Sequence, residues 1–182
     1  MTIRTLPATI DWTRWSVILL KPDCLRRGLV EEVLSKVAAE VEIVARQATL
    51  VTQTQIFAHY DDLLADPGRF HPVNVAADLR RGYVGQRVVI ALGRGPAGPP
   101  DTPTRLRALL GHYDPARADP ASIRGQFGID SLATARGENR LIENLIHTSD
   151  DAEAARRDFA IWFGIHRSAA LLTNTVPDRR SR

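Results

Sequence analysis

The sequence predicts an α+β fold: a ferredoxin-like βαββαβ chain whose four strands form an antiparallel sheet with helices packed on it. Three observations lead there. Short apolar runs at Trp15 to Lys21, Glu42 to Val51, Arg87 to Leu92 and Leu145 to His147 are each closed by a turn or breaker signal. Amphipathic helical spacing separates the first strand from the second and the third from the fourth. Extra short helices and one long polar stretch lengthen the chain without disturbing that order.

Each element has its own reason. Val17-Ile18-Leu19-Leu20 is continuously apolar, and Pro22 ends the run, so Lys21 projects from a strand end. Taken alone, Lys21 is equally an ordinary solvated lysine. Leu25 to Glu40 places Leu29, Val30, Val33, Leu34 and Val37 at helical spacing. In the second strand Ile43, Ala45 and Leu50 are the expected inward residues. Thr52 or Thr54 caps a short helix through Leu64 that carries His59 and Tyr60. Asp66-Pro67-Gly68 is a turn, and Phe70 to Arg81 reads as a further helix whose start is blurred by His71-Pro72. Gly93 to Pro100 is a Gly/Pro-rich surface loop. Thr104 to Leu110 is a helix ended by Gly111. The chain then turns irregular to Gly128, and Ser131 to Glu143 reads as an exposed polar loop.

Leu145 and Ile146 form a buried strand, His147 stands at its end, and Ser149 and Asp150 look like caps of the last helix, Ala152 to Phe163. A histidine pinned between strand and helix can serve as a neutral nucleophile or proton carrier. This stretch alone favours a satisfied core or surface histidine, and the rest of the chain reverses that.

Composition narrows the class. The chain has 182 residues, ordinary apolar and charged fractions and a net charge of +3. That suits one domain and a protein that handles polyanions, but it is too mild for a nucleic-acid binder. One cysteine, Cys24, forbids an internal disulfide framework. There is no secretory signal and no apolar run able to cross a bilayer, so a cytoplasmic protein is expected. Lysine occurs only at Lys21 and Lys36 while arginine abounds. No His/Cys cluster suggests a metal cage. The expected organisation is a leader over residues 1–14, one domain over 15–164 with an insertion at 131–143, and a basic tail over 165–182.

A set of motifs in order then carries a resemblance. Leu20-Lys21-Pro22-Asp23 precedes Arg27-Gly28-Leu29-Val30. His59-Tyr60 follows, then Arg107-Ala108-Leu109-Leu110-Gly111 with Pro115 beyond it. Ser122-Ile123-Arg124-Gly125-Gln126-Phe127-Gly128-Ile129-Asp130 and Asn144-Leu145-Ile146-His147-Thr148-Ser149-Asp150 complete the series. Over roughly Ser16 to Phe163 the chain resembles the nucleoside diphosphate kinases.

The resemblance implies ping-pong transfer of the γ-phosphoryl group of a nucleoside triphosphate such as ATP to a nucleoside diphosphate, through a phosphohistidine at His147. Lys21, Arg107 and Arg124 match the family's phosphate-binding cations. Asn144 matches the residue at the ribose and bridging phosphate, Tyr60 the tyrosine beside the histidine, and Ser149 the serine of the same elbow. Phe70, with Tyr83 as its rival, matches the base platform. Mg²⁺ is implied on the nucleotide phosphates rather than in a protein site. A dimer-based homo-oligomer, tetramer or hexamer, is implied as well.

The departures from the family's pattern are equally specific. Asp158 stands where the family has a glutamate that orients the histidine. Tyr113 and Asp114 replace a threonine and an asparagine near the phosphates. Thr148 replaces a glycine and would be strained if that position needs unusual backbone angles. His59 is read as structural or exposed and is left out of the site. Altered substrate preference follows from this pattern. A catalytically weak nucleotide-binding paralogue with a regulatory or scaffold role is the alternative.

Overall fold

The computed structural model of the protein describes residues 10–164; the expected tail and the first part of the leader lie outside the described residues. Four strands, β1 (Trp15–Leu20), β2 (Glu42–Leu50), β3 (Arg87–Arg94) and β4 (Ile146–Thr148), form one sheet in the order β2-β3-β1-β4. Every neighbouring pair is antiparallel. This is the ferredoxin-like order expected from the sequence.

The central strands are apolar on both faces because both faces are covered. Val17 and Leu19 of β1, with Val88, Ile90 and Leu92 of β3, belong to one core cluster with Ile56, Leu79, Phe159 and Trp162. Ile18 and Leu20, with Val89 and Ala91, belong to a second with Val33, Val37, Leu106 and Ile146. Helices α3 (Gln53–His59), α5 (Val75–Tyr83) and α9 (Ala152–Phe163) supply the first cluster. Helices α2 (Val30–Ala38) and α6 (Thr102–Leu110) supply the second.

The structure corrects several sequence expectations. The helix read over Leu25 to Glu40 is two helices, α1 (Pro22–Arg26) and α2, broken where Gly28 takes φ +67°. Thr52 does cap α3, through a capping box with Gln55. That helix stops at His59, however, and α4 (Asp61–Ala65) restarts beyond Tyr60. The helix expected from Phe70 begins only at Val75, capped by Asn74. A bulge between Ile43 and Ala45 sends those two residues to opposite core clusters, and Leu50 ends up 60% exposed rather than inward.

The stretch from His112 to Gly128 holds α7 (Ile123–Phe127), capped by Ser122. The expected loop at 131–143 contains a helix, α8 (Leu132–Gly137), capped by Ser131. Asp151, not Ser149 or Asp150, caps α9, because the strand-like pairing of β4 runs on to Ser149, whose amide donates to Val17 O at 3.1 Å. Thr148 is an ordinary strand residue opposite Ile18. The left-handed residue is Leu145, at φ +70° and buried.

Candidate active site

β1 and β4 lie side by side and deliver their ends to one place. Lys21 follows β1, and its amide donates to Leu145 O at 2.9 Å. Its Nζ donates to Asn144 Oδ1 at 2.9 Å and to Ile142 O at 3.3 Å. Burial lowers the Lys21 pKa, and neighbouring Asp23 partly offsets that. Asp23, in the first turn of α1, accepts the amide of Leu145 at 2.8 Å and so holds the left-handed turn that leads into β4.

His147 is the middle residue of β4, half-buried, with its neighbours Ile146 and Thr148 buried. It faces a cavity of about 520 Å³. Lys21, Tyr60, Phe70, Tyr83, Arg107, Tyr113, Arg124 and Asn144 line the same cavity. Arg124, on α7, is buried and donates to three backbone carbonyls: Asn144 O at 3.4 Å, Gly111 O at 3.1 Å and Ile146 O at 2.8 Å. Burial brings its pKa down to about 10, which leaves it charged at neutral pH. Arg107, on the last turn of α6, is ion-paired with Asp150, and both side chains remain about half exposed. Asn144 Nδ2 donates to Tyr113 O at 2.7 Å, so the amide bridges Lys21 and the loop after α6.

Burial drives the pKa of His147 well below the ordinary histidine value, and the cations Lys21, Arg124 and Arg107 add to that effect. The imidazole is neutral at physiological pH and sits inside a ring of cations. Such a pairing suits attack on an anionic phosphoryl group. Tyr60 packs against it with ring centroids 5.6 Å apart and shares a 3.4 Å hydroxyl contact with Tyr83. Burial pushes the Tyr60 hydroxyl up to about 12.

The two candidate base platforms differ in setting. Tyr83 is 7% exposed and tied into the core through Tyr60, whereas Phe70 stands at the cavity wall with the Arg69 guanidinium 5.5 Å from its ring centre. Tyr113 is 49% exposed and stacks on His112 at 4.5 Å.

Ser149 and Asp158 lie behind the cavity rather than in its wall. Ser149 Oγ donates to Asp158 Oδ2 at 2.8 Å and accepts the amide of Val17 at 3.1 Å. Asp158, fully buried on α9, meets His59 Nδ1 at 3.2 Å. Burial would raise the Asp158 pKa, but the hydrogen bonds with His59 and Ser149 outweigh it and hold the carboxyl below its usual range. Of the two readings of His59, structural or exposed, the exposed one is corrected. Its ring is 2% exposed and touches Tyr60, His147 and Trp162. The signal was present: Ile56, His59 and Tyr60 fall at i, i+3 and i+4, one buried face of the helix end.

The 131–143 segment is fastened to the same site. Asp114 Oδ1 accepts the amide of Leu132 at 3.2 Å. Arg140 grips Asp130 with two bonds of 2.6 and 3.0 Å, and the Leu141 amide donates to Asp78 Oδ2 at 2.8 Å. Leu132, Arg136 and Arg140 thereby become part of the cavity wall. Among the described residues no group of three or more His, Cys, Asp and Glu side chains is placed to hold a metal ion. Nor is any described helix long and apolar enough to cross a membrane.

Comparison with known proteins gives this geometry its context. The family model for nucleoside diphosphate kinase matches residues 15–167. The chain belongs to the nucleoside diphosphate kinase family. It is accordingly an enzyme of nucleotide phosphotransfer. A nucleoside diphosphate kinase of Streptococcus pneumoniae (strain Hungary19A-6) is 32% identical over 147 residues, covering 80% of this chain and 96% of the relative. One from Pyrobaculum aerophilum is 31% identical over 176 residues, covering 81% and 93%. Among solved structures, the transition-state mimic of the Borrelia burgdorferi nucleoside diphosphate kinase with bound vanadate and ADP superposes with a TM-score of 0.75 at 26% identity. It covers 91% of this chain and 93% of that one. The Pyrobaculum aerophilum NDP kinase structure superposes with a TM-score of 0.67 at 26% identity, covering 82% and 95%.

Proposed function

We propose that this chain moves the γ-phosphoryl group of a nucleoside triphosphate to a nucleoside diphosphate through a phosphohistidine on His147. The observation that carries the reading is the neutral imidazole of His147 at the wall of a cavity that also holds Lys21, Arg107 and Arg124. The free imidazole nitrogen attacks phosphorus in line as the bond to the leaving diphosphate oxygen breaks. Lys21 and Arg124, already oriented by Asn144 and by backbone carbonyls, offset charge on the transferring and leaving oxygens without reorganising. Arg107 exchanges Asp150 for a phosphate oxygen when nucleotide enters. Magnesium enters as part of the nucleotide substrate.

The departures from the family's pattern sit around this centre. Tyr113 and the α8 segment form the part of the wall that differs, so they are the elements to alter base or sugar preference. The functional unit is taken as 15–164 and the protein as cytoplasmic; a dimer-based homo-oligomer is in keeping with the open β2 edge, where Leu50 is 60% exposed.

The test is direct phosphotransfer. Protein and its His147→Ala variant are incubated with Mg²⁺ and γ-labelled ATP, then chased with a panel of nucleoside diphosphates. Acid-labile label on the wild type, absent from the variant and passed to the diphosphates, is the expected result. Nucleotide binding without label overturns it.

A further inference from the structure

The arrangement behind His147 contains a nitrogen with no assigned task. His59 Nδ1 lies 3.2 Å from Asp158 Oδ1 and 3.2 Å from the indole nitrogen of Trp162. One ring nitrogen cannot donate to the first and accept from the second at the same time. Asp158 is fully buried, ionised and, among the described residues, otherwise supplied with donors by Ser149 and a distant Arg157. A charge-assisted bond to a buried carboxylate is roughly twice as strong as a neutral one, so the carboxylate wins and the proton resides on Nδ1. The lone pair of His59 is then at Nε2. That atom is buried and has no hydrogen-bond partner among the described residues. The His59 and His147 rings meet edge to face, with centroids 4.7 Å apart and planes at 85°.

We propose that His59, its tautomer fixed by Asp158, is the positioning residue for His147: as His147 engages a phosphoryl group its ring turns, and the N–H that does not attack is accepted at His59 Nε2, which has no partner among the described residues of the free protein. The proposal rests on the phosphohistidine reading. When the attacking nitrogen forms its bond to phosphorus, the P–O bond breaks and its electron pair leaves with the diphosphate oxygen. The His147 ring becomes cationic, and its remaining N–H becomes the most acidic point. An acceptor at that point holds the ring in line and spreads the positive charge toward Asp158, while the proton stays on His147. The return transfer to a nucleoside diphosphate reverses each change. Asp158 therefore reaches the nucleophile through a second imidazole rather than by direct contact.

Two measurements decide it. The first is the ¹⁵N spectrum of the histidine rings of the intact wild type at neutral pH. The expected pattern for His59 is protonated Nδ1 and unprotonated Nε2; a protonated Nε2 overturns the proposal, whatever the variants do. The second compares single-turnover labelling in His59→Phe, His59→Gln and Asp158→Asn. The phenylalanine variant should label 10- to 100-fold more slowly, on the order of a lost orienting partner, with nucleotide Kd changed by less than about twofold. Glutamine, which offers both a donor for Asp158 and an acceptor for His147, should recover much of that rate. Asp158→Asn, which reverses the tautomer preference, should slow labelling as the phenylalanine does. Equal labelling rates in all four proteins overturn the positioning role and leave the phosphohistidine intact. A wild type that takes no label overturns the phosphohistidine reading itself.

Discussion

At the residue scale, the proposed phosphohistidine route needs an unprotonated His147, and the surroundings of the ring favour that state. Burial and the neighbouring Lys21, Arg124 and Arg107 all favour the neutral ring. The labelling rate should therefore stay level as pH falls through about 6.5, where a free histidine would half-protonate, and decline only at more acid pH. The same shift bears on stability. Below about pH 6.5 the unfolded chain takes up a proton at His147 that the folded chain refuses, so the folded state loses ground as pH drops toward the lower, folded pKa. Thermal melts between about pH 7 and 5 should show this slope in the wild type and a flatter one in His147→Gln. Asp23 presents a second residue-scale case. It is the acceptor for the buried amide of Leu145, a residue held at φ +70°. Asp23→Ala should cost ~1–3 kcal/mol by orphaning that amide, and it should slow labelling more than it weakens nucleotide binding. Asp23→Asn, which keeps an acceptor oxygen, should be milder on both counts. Denaturant titration and single-turnover labelling read the two effects separately.

At the scale of elements, legibility in the sequence followed the physical origin of each piece. β1 and β3 announce themselves because both faces are buried, and a continuous apolar run has few other uses. Lys21, Arg107, Arg124, Asn144 and His147 could be named because each belongs to a motif, and the structure gathers them around one cavity. What escaped was held by tertiary contacts. Helix α8 has little apolar periodicity, with Ala135 its only buried member; Asp114, Asp78 and the Arg140–Asp130 pair fix the segment instead. Asp114, read from the sequence as a departure near the phosphates, is the acceptor for the first amide of α8. The cap of α9 was misplaced because Ser149, Asp150 and Asp151 are all cap-forming residues, and only the pairing of β4 with β1 chooses between them. His59 shares the buried face of Ile56 and Tyr60, but the spacing alone does not say that this face meets Asp158 and Trp162 of α9. If α8 is part of the nucleotide wall, Arg140→Ala should loosen it by about 1–2 kcal/mol, somewhat under the usual value for a bond to a charged group because Arg140 is partly exposed. Hydrogen exchange across 131–143 should accelerate and KM for the nucleotide should rise, with the labelling rate at saturating nucleotide nearly unchanged. An unchanged KM would remove α8 from the substrate wall.

At the scale of the whole molecule, the net charge of +3 understates the local field. Lys21, Arg26, Arg69, Arg81, Arg107, Arg124, Arg136, Arg140 and Arg157 all reach the one cavity, where walls of low polarizability strengthen their effect on an entering polyanion. Several are paired with carboxylates in the free protein, among them Arg26 with Glu143, Arg107 with Asp150 and Arg140 with Asp130. The Arg26 and Arg107 pairs are about half exposed and each contributes little, so in the proposed reading these cations pass readily to phosphate oxygens on binding. Affinity should consequently depend on the number of phosphates more than on the base. ADP at about one hundred times its Kd should stabilise the fold by ~2.7 kcal/mol through binding to the native state alone. AMP at the same concentration should give a much smaller shift, and adenosine almost none. Raising ionic strength from about 0.05 to 0.5 M should shrink the ADP effect through screening while leaving the melting temperature of the free protein nearly constant. Arg124→Ala should abolish most of the difference between ADP and AMP, because Arg124 is the buried cation already aimed by backbone carbonyls. A thermal shift series over these ligands, at two salt concentrations, tests the electrostatic account as one set; equal shifts for ADP and adenosine would mean that the pocket reads the base and sugar instead of the phosphates.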